Sequence, residues 1–139
     1  MFVGTFEHAL DGKGRVVLPS QFRNGLAGTG YLAKYERCLG LWTQEGFDEI
    51  VLRLRQKVRE GEVSMNALRS LTGNAVQVEP DAQGRILIPQ KLREYAGLDR
   101  EVAVVGLGDR IEIWSSTRWV EVDSQADDSL LSAVLEHGI

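Results

Sequence analysis

One cysteine, Cys38, and two histidines, His8 and His137, are all that this 139-residue chain offers toward redox or soft-metal chemistry. A lone cysteine excludes an intrachain disulfide and fits a reducing compartment. One thiol and two unclustered imidazoles do not make a structural zinc site. Cys38 lies in an apolar run, which favours a buried structural thiol over a reactive one. His8 reads as a strand-surface residue rather than a catalytic base. Long apolar runs are missing too: none approaches the ~20 residues of a membrane-spanning helix. The start, MFVGTFEHAL, lacks the basic lead and apolar core of a secretory signal. There is no Walker loop, no G-x-S-x-G and no G-x-G-x-x-G. The expectation is a soluble cytoplasmic protein that is not an enzyme, with no catalytic residues, no metal, no cofactor and no membrane partner.

Surplus positive charge is also absent in the sum, where 16 basic and 20 acidic residues give a net of −4. The sum hides a gradient. Residues 1–40 carry five basic and three acidic side chains, residues 41–100 nine of each, and residues 101–139 two basic and eight acidic. The acidity belongs to the C-terminal stretch, so the total describes no single face and does not exclude nucleic acid.

What the chain does have is a repeat. DGKGRVVLPSQFR (Asp11 to Arg23) returns seventy residues later as DAQGRILIPQKLR (Asp81 to Arg93), with Asp, Gly, Arg, Pro and Arg at identical offsets. A repeat of this length redefines the folding unit. One copy, about 45 residues, sits near the lower limit for an autonomous core, whereas the whole chain can bury roughly 70% of its extended surface. The two copies are therefore expected to share one core as a pseudo-dimer.

In each copy a strand leads into a tight turn, Asp11–Gly14 or Asp81–Gly84. Asp supplies acceptors for turn amides, and glycine permits positive φ. The pattern predicts that the chain then returns as a β-hairpin over Arg15 to Leu18 and Arg85 to Ile88. Pro19 and Pro89 suit the first position of a short helix. Two further strands follow in each copy, ending at Trp42 and Trp114, with Thr43 and Ser115 placed as helix N-caps. Phe47, Ile50, Val51, Leu54 and Val58 predict an amphipathic helix, and Met65, Leu68 and Leu71 a shorter one. Beyond Trp119 the pattern weakens. Asp123 to Ser129 is polar, and Leu130 to Leu135 reads as either a terminal helix or a frayed tail.

The D-x-x-x-R unit, Asp11/Arg15 and Asp81/Arg85, is the sharpest motif. Asp11 and Asp81 read as structural turn caps. Arg15 and Arg85 fit either a structural pairing with those carboxylates or a phosphate contact, since a hairpin tip can lie in or along a DNA groove. Lys13 distinguishes the copies, because Gln83 replaces it, so the first copy is the expected DNA face. Arg23, Lys91 and Arg93 read on their own as solvated helix charges, and Arg53 to Arg59 as the wet face of an amphipathic helix. Trp42 and Trp114, with Phe47 and Trp119 beyond, read as core or interface anchors rather than base-stacking platforms.

The order M-F-x-G, H-x-L-D-x-K-G-R-x-x-L-P-x-x-F-R, G-L-W-T, then V-x-x-D-x-Q-G-R-I-L-I-P-x-x-L-R-E-Y-A-G-L resembles the MraZ family of bacterial transcriptional regulators over residues 1 to about 120. The repeated unit is similar to the SpoVT-AbrB-type DNA-binding domain, related also to MazE antitoxins. The resemblance implies a mainly β fold with short helices, a double-split β-barrel formed by two tandem pseudo-symmetric modules. It divides the chain into module 1 (5–47), a helical connector (48–73), module 2 (75–119) and an acidic tail (123–139). It implies a homo-oligomeric ring, commonly an octamer, that binds double-stranded DNA at repeated boxes in its own promoter, upstream of the division and cell-wall cluster, hence a nucleoid-associated protein. Its DNA-contacting hairpin maps to Asp11–Arg15 and so to Lys13 and Arg15; Arg23 and Arg85 complete the expected contacts, with Asp11 and Asp81 structural. The rival expectation is a protein-interaction module, antitoxin-like or a ring scaffold, that never touches DNA.

Overall fold

Neither copy of the repeat is long enough to enclose a core, and in the computed structural model, which describes residues 1–139, the two copies meet that constraint by exchanging strands. Module 1 runs β1 (Phe2–Ala9), β2 (Arg15–Val17), α1 (Ser20–Leu26), β3 (Gly30–Tyr35), β4 (Cys38–Trp42) and α2 (Gln44–Arg59). After α3 (Met65–Gly73), module 2 repeats the order as β5 (Val76–Val78), β6 (Arg85–Leu87), α4 (Gln90–Ala96), β7 (Glu101–Gly108), β8 (Ile111–Ser115) and α5 (Ser116–His137). Six strands form one antiparallel sheet in the order β1-β7-β8-β4-β3-β5, and β2 pairs with β6 as a separate ribbon. Swapping each strand for its counterpart in the other module reads the six-stranded order backwards, the signature of an internal two-fold axis.

The expected hairpins are corrected by this topology. The turns form as expected, with Asp11 N–H donating to Arg15 O at 2.9 Å and Asp81 N–H to Arg85 O at 2.9 Å. The strands on either side of each turn then part. β1 pairs along its length with β7, from Phe2 opposite Gly108 to Ala9 opposite Glu101, while β2 lies against β6 with Val16 opposite Ile86. β5 repeats the exchange by pairing with β3. The reason lies in burial. Placing the two short strands together buries Val16 and Ile86 side by side. The proline that follows each short strand prevents its extension.

The main core shows the sharing directly. Its 19 buried residues draw nine from module 1 and ten from module 2, so neither module owns a core. Ribbon residues Val16, Leu18, Ile86 and Ile88 close over the sheet positions Leu32, Leu41, Val104 and Ile113. The fold is thus mainly β at its centre, with an open six-stranded sheet capped by a ribbon, as in a split barrel. The sheet's other face is covered by helices. Trp42 packs with Phe47, Ile50 and Leu71, and Trp114 packs with Cys38, Val105 and Trp119. This two-sided cover buries every residue of β4 and β8. Both tryptophans are core anchors.

The axis runs between β4 and β8, where Gly40 faces Glu112. These are equivalent positions with opposite solutions. A Cβ on Gly40 would collide with the indole of Trp42. Glu112 is buried, and its carboxylate accepts from Trp114 Nε1 at 3.0 Å and from Arg110 Nε at 3.1 Å. Arg110 also stacks over the Tyr35 ring at 4.6 Å, tying β8 to the β3–β4 turn. Cys38 is buried beside this network, with its thiol pushed up by burial, as expected of a structural residue.

Thr43 and Ser115 cap α2 and α5 as expected, accepting from Gly46 N–H and Arg118 N–H, each at 3.1 Å. Pro19 and Pro89 sit one position earlier than expected, at the N-caps of α1 and α4. The C-terminal stretch is a single helix of 22 residues, so the polar run from Asp123 to Ser129 lies within α5.

Ile86→Ala should cost about 2–5 kcal/mol, the usual range for a buried Ile truncation. Because the core is shared, urea unfolding should remain a single transition, with tryptophan fluorescence and far-UV circular dichroism shifting together. Separate transitions would show that the modules fold independently.

Candidate nucleic-acid interface

The β2–β6 ribbon carries the motif residues of both copies. Strand alternation sets its two faces. Val16 and Ile86 point into the core, while Arg15, Val17, Arg85 and Leu87 point outward. Arg15 lies opposite Leu87 and Val17 opposite Arg85, so the two arginines are diagonal neighbours, about 7–8 Å apart at the backbone. The sequence placed Arg15 and Arg85 in separate hairpins; the exchange of strands brings them onto one surface.

Each arginine is held by its own aspartate. Asp11 Oδ1 accepts from the Lys13 and Arg15 amides, both at 2.9 Å, and Asp11 Oδ2 accepts from Arg15 Nε at 2.6 Å. Asp81 does the same for Gln83 and Arg85, with Arg85 Nε at 2.9 Å. The aspartates are structural turn caps that also aim a guanidinium. Only Nε of each arginine is engaged; the terminal nitrogens donate to nothing in the chain, and both side chains keep more than a quarter of their surface exposed. Lys13 is exposed at the tip of the first turn, without an ion pair.

The amide hydrogen bonds from Arg15 and Lys13 hold the Asp11 carboxyl down at about 2, against an ordinary 3.8, with the Arg15 guanidinium adding to them; Asp81 is lowered in the same way by Arg85 and Gln83.

Arg23 and Arg93 are not the solvated helix charges expected. Both are half-buried and reach across the pseudo-two-fold axis. Arg23 lies over Gly84 and Arg93 over Gly14, where a Cβ would occupy the guanidinium's position. Each donates through Nη1 to a carbonyl of its own module: Arg23 to Leu18 O at 2.5 Å, and Arg93 to Ile88 O. Gly14 and Gly84 also have positive φ, +80° and +78°, so both conformation and space demand glycine there. The backbone completes the clasp, with Leu18 N–H donating to Gly84 O and Ile88 N–H to Gly14 O, each at 2.9 Å. The two turns are thus pinned to each other, and the outward face is preorganised. The shared offset of Gly and Arg in the two repeats carried this signal. Read one copy at a time, Arg93 is a solvated helix charge.

The family model described as "MraZ protein, putative antitoxin-like" matches the chain twice, over residues 1–66 and 71–136. The second match takes in most of α5. Among curated relatives, the chain is 39% identical to the transcriptional regulator MraZ of Acetivibrio thermocellus, over 96% of this chain and 92% of that protein. It is 43% identical to that of Clavibacter michiganensis, over 87% and 85%, and 42% identical to that of Kocuria rhizophila, over 86% and 84%.

Since both aspartates are depressed in the folded state, their contribution to stability is present above the ordinary carboxylate range and is lost as pH falls below it, for Asp11 through about 2. Urea titrations at successive pH values should show wild-type stability dropping across that interval. The Asp11→Asn/Asp81→Asn variant should be less stable at pH 6 and flatter between pH 4 and 2. An equal slope in the two proteins would contradict the assignment.

Proposed function

The chain belongs to the MraZ family, and from that premise we propose that it is a sequence-specific DNA-binding regulator of transcription whose reading element is the β2–β6 ribbon. The observation that carries this reading is the pair of outward guanidiniums, Arg15 and Arg85, each aimed by an aspartate and left with free terminal nitrogens. A two-stranded ribbon fits the major groove of B-form DNA, and arginine forks recognise phosphates and guanine edges. Lys13 adds a third cation at the edge of the same face. Arg23 is assigned to positioning, since its guanidinium is spent on Leu18 O and on the Gly84 turn. Val17 and Leu87, exposed between the arginines, offer apolar contact to thymine methyls.

One ribbon reaches few phosphates, so a lone chain binds weakly. The proposal therefore includes assembly. Copies arranged in a ring, of which an octamer is the form the family resemblance suggests, present several ribbons to repeated boxes in the protein's own promoter. Later contacts become intramolecular and raise avidity by about 10²–10⁴. Its working compartment is the cytoplasm, on the nucleoid beside the division and cell-wall cluster.

Gel shifts on the DNA just upstream of its own gene test the reading. Arg15→Ala and Arg85→Ala should each weaken binding and reduce the slope of log affinity against log salt by about 1. Lys13→Ala should have a smaller effect of the same kind. Size-exclusion elution should not change. Unaltered affinity in all three variants, or a co-purifying protein with no promoter shift, would favour an interaction module instead.

A further inference from the structure

The groove between α2 and α3 combines an apolar floor with cations that nothing in the chain neutralises. It occurs once per chain, because module 2 has no helix equivalent to α3. We propose that this groove binds a small amphipathic anion, a short aliphatic chain ending in a carboxylate or phosphate, and that its occupancy stiffens the clasp behind the ribbon. The volume, about 510 Å³, suits a small molecule.

Ile50, Leu54 and Leu71 form the floor, with Trp42 packed beneath Ile50 and Leu71. Ile50 and Leu54 are four residues apart on α2, as are Ala67 and Leu71 on α3, so the apolar strip is one turn long, about 6 Å. A docked protein helix needs anchors over two turns or more. A strip of one turn seats a hydrocarbon chain instead. The charges on the rim are specific. Lys57 is already held by Glu60 and Glu62, at 3.7 and 3.1 Å. Glu36, the groove's one carboxylate, is engaged by Arg110 at 3.5 Å. Arg53 is exposed and without an ion pair, and Lys34 has only the ring of Tyr95, 5.2 Å from its amine. Those two cations are left for an oxyanion, and a guanidinium fork matches one with two parallel hydrogen bonds.

The groove is joined to the ribbon through α4. Tyr95, on that helix, forms one wall, and its hydroxyl donates to Glu36 O at 2.5 Å, tying α4 to the β3–β4 turn. Two residues earlier, Arg93 lies over Gly14 and donates to Ile88 O. Seventy residues back, the position of Tyr95 is held by Gly25, so only the module 2 clamp helix carries this ring. Opening the clasp moves α4 and withdraws Tyr95 from the wall. A ligand seated on the intact wall opposes that motion, and so holds Gly14 and Arg15 in place. Binding stands apart from the DNA reading; its consequence, a higher promoter affinity when the groove is filled, rests on that reading.

Titration calorimetry of the full chain with octanoate and with octyl phosphate tests the site. Both should bind saturably, one per chain, and more tightly than octanol. Arg53→Gln/Lys34→Gln should weaken both anions about tenfold or more and leave octanol unchanged. Ala67→Trp, at an exposed position of α3, should fill the groove and block all three. Saturating octanoate should slow hydrogen exchange at the Leu18 and Ile88 amides, which close the clasp, in the wild type but not in Ala67→Trp. Absence of saturable binding, equal affinity for octanol, or binding of phosphatidylglycerol vesicles without binding of either free anion would overturn the site. Unchanged exchange at saturation would overturn its link to the clasp. A chain that passes these tests yet fails to shift promoter DNA would overturn the DNA reading alone.

Discussion

The structure depends on one contact, the antiparallel pairing of β2 with β6 across the internal two-fold axis. These six residues carry the centre of the core on one face and the motif arginines on the other. Everything near them serves that pairing. Gly14 and Gly84 let the turns close, Arg23 and Arg93 clamp them from the opposite module, and Asp11 and Asp81 fix the direction of the guanidiniums. A crossed clasp of this kind converts two weak hairpin tips into one rigid surface. The ordering cost is met in folding, so little of it remains at the moment of binding.

Much of this was legible from residues alone. The repeated order of elements, the caps of α2 and α5 and the apolar spacing of α2 and α3 could be read, because those signals are local: an oxygen-bearing side chain before a helix, or an apolar spacing of 3.6. Strand partners are not local. A strand–turn–strand sequence reads as a hairpin whether or not its strands stay together, so the exchange of β1 and β2 between sheets could not be seen in either copy. Arg23 and Arg93 illustrate the same limit. Each looks like a surface helix charge until the other module's glycine turn is placed beneath it. The asymmetry between Lys13 and Gln83 points to module 1 as the expected DNA face; strand pairing sets Arg15 and Arg85 on one surface, and the proposed reading face is for that reason drawn across both modules.

The two halves have diverged in step with their surroundings. Gly40 and Glu112 face each other at the axis, one emptied for an indole and the other filled by a carboxylate that Arg110 and Trp114 satisfy. α2 has a partner helix, and α5 has none within the chain. Differences of this sort mark where a duplicated module has taken on separate duties. The ribbon is symmetric, with Arg15 and Arg85 at equivalent places, whereas the outer helices differ in their surroundings.

The central claim is that the two modules read DNA as one surface. Its most direct test places a photo-crosslinking amino acid at Val17 and, in a second protein, at Leu87, the exposed positions flanked by the two guanidiniums. Irradiation with promoter DNA should yield crosslinked nucleic acid from both positions with comparable efficiency. Crosslinking from Val17 alone, or from neither, would contradict a shared reading face.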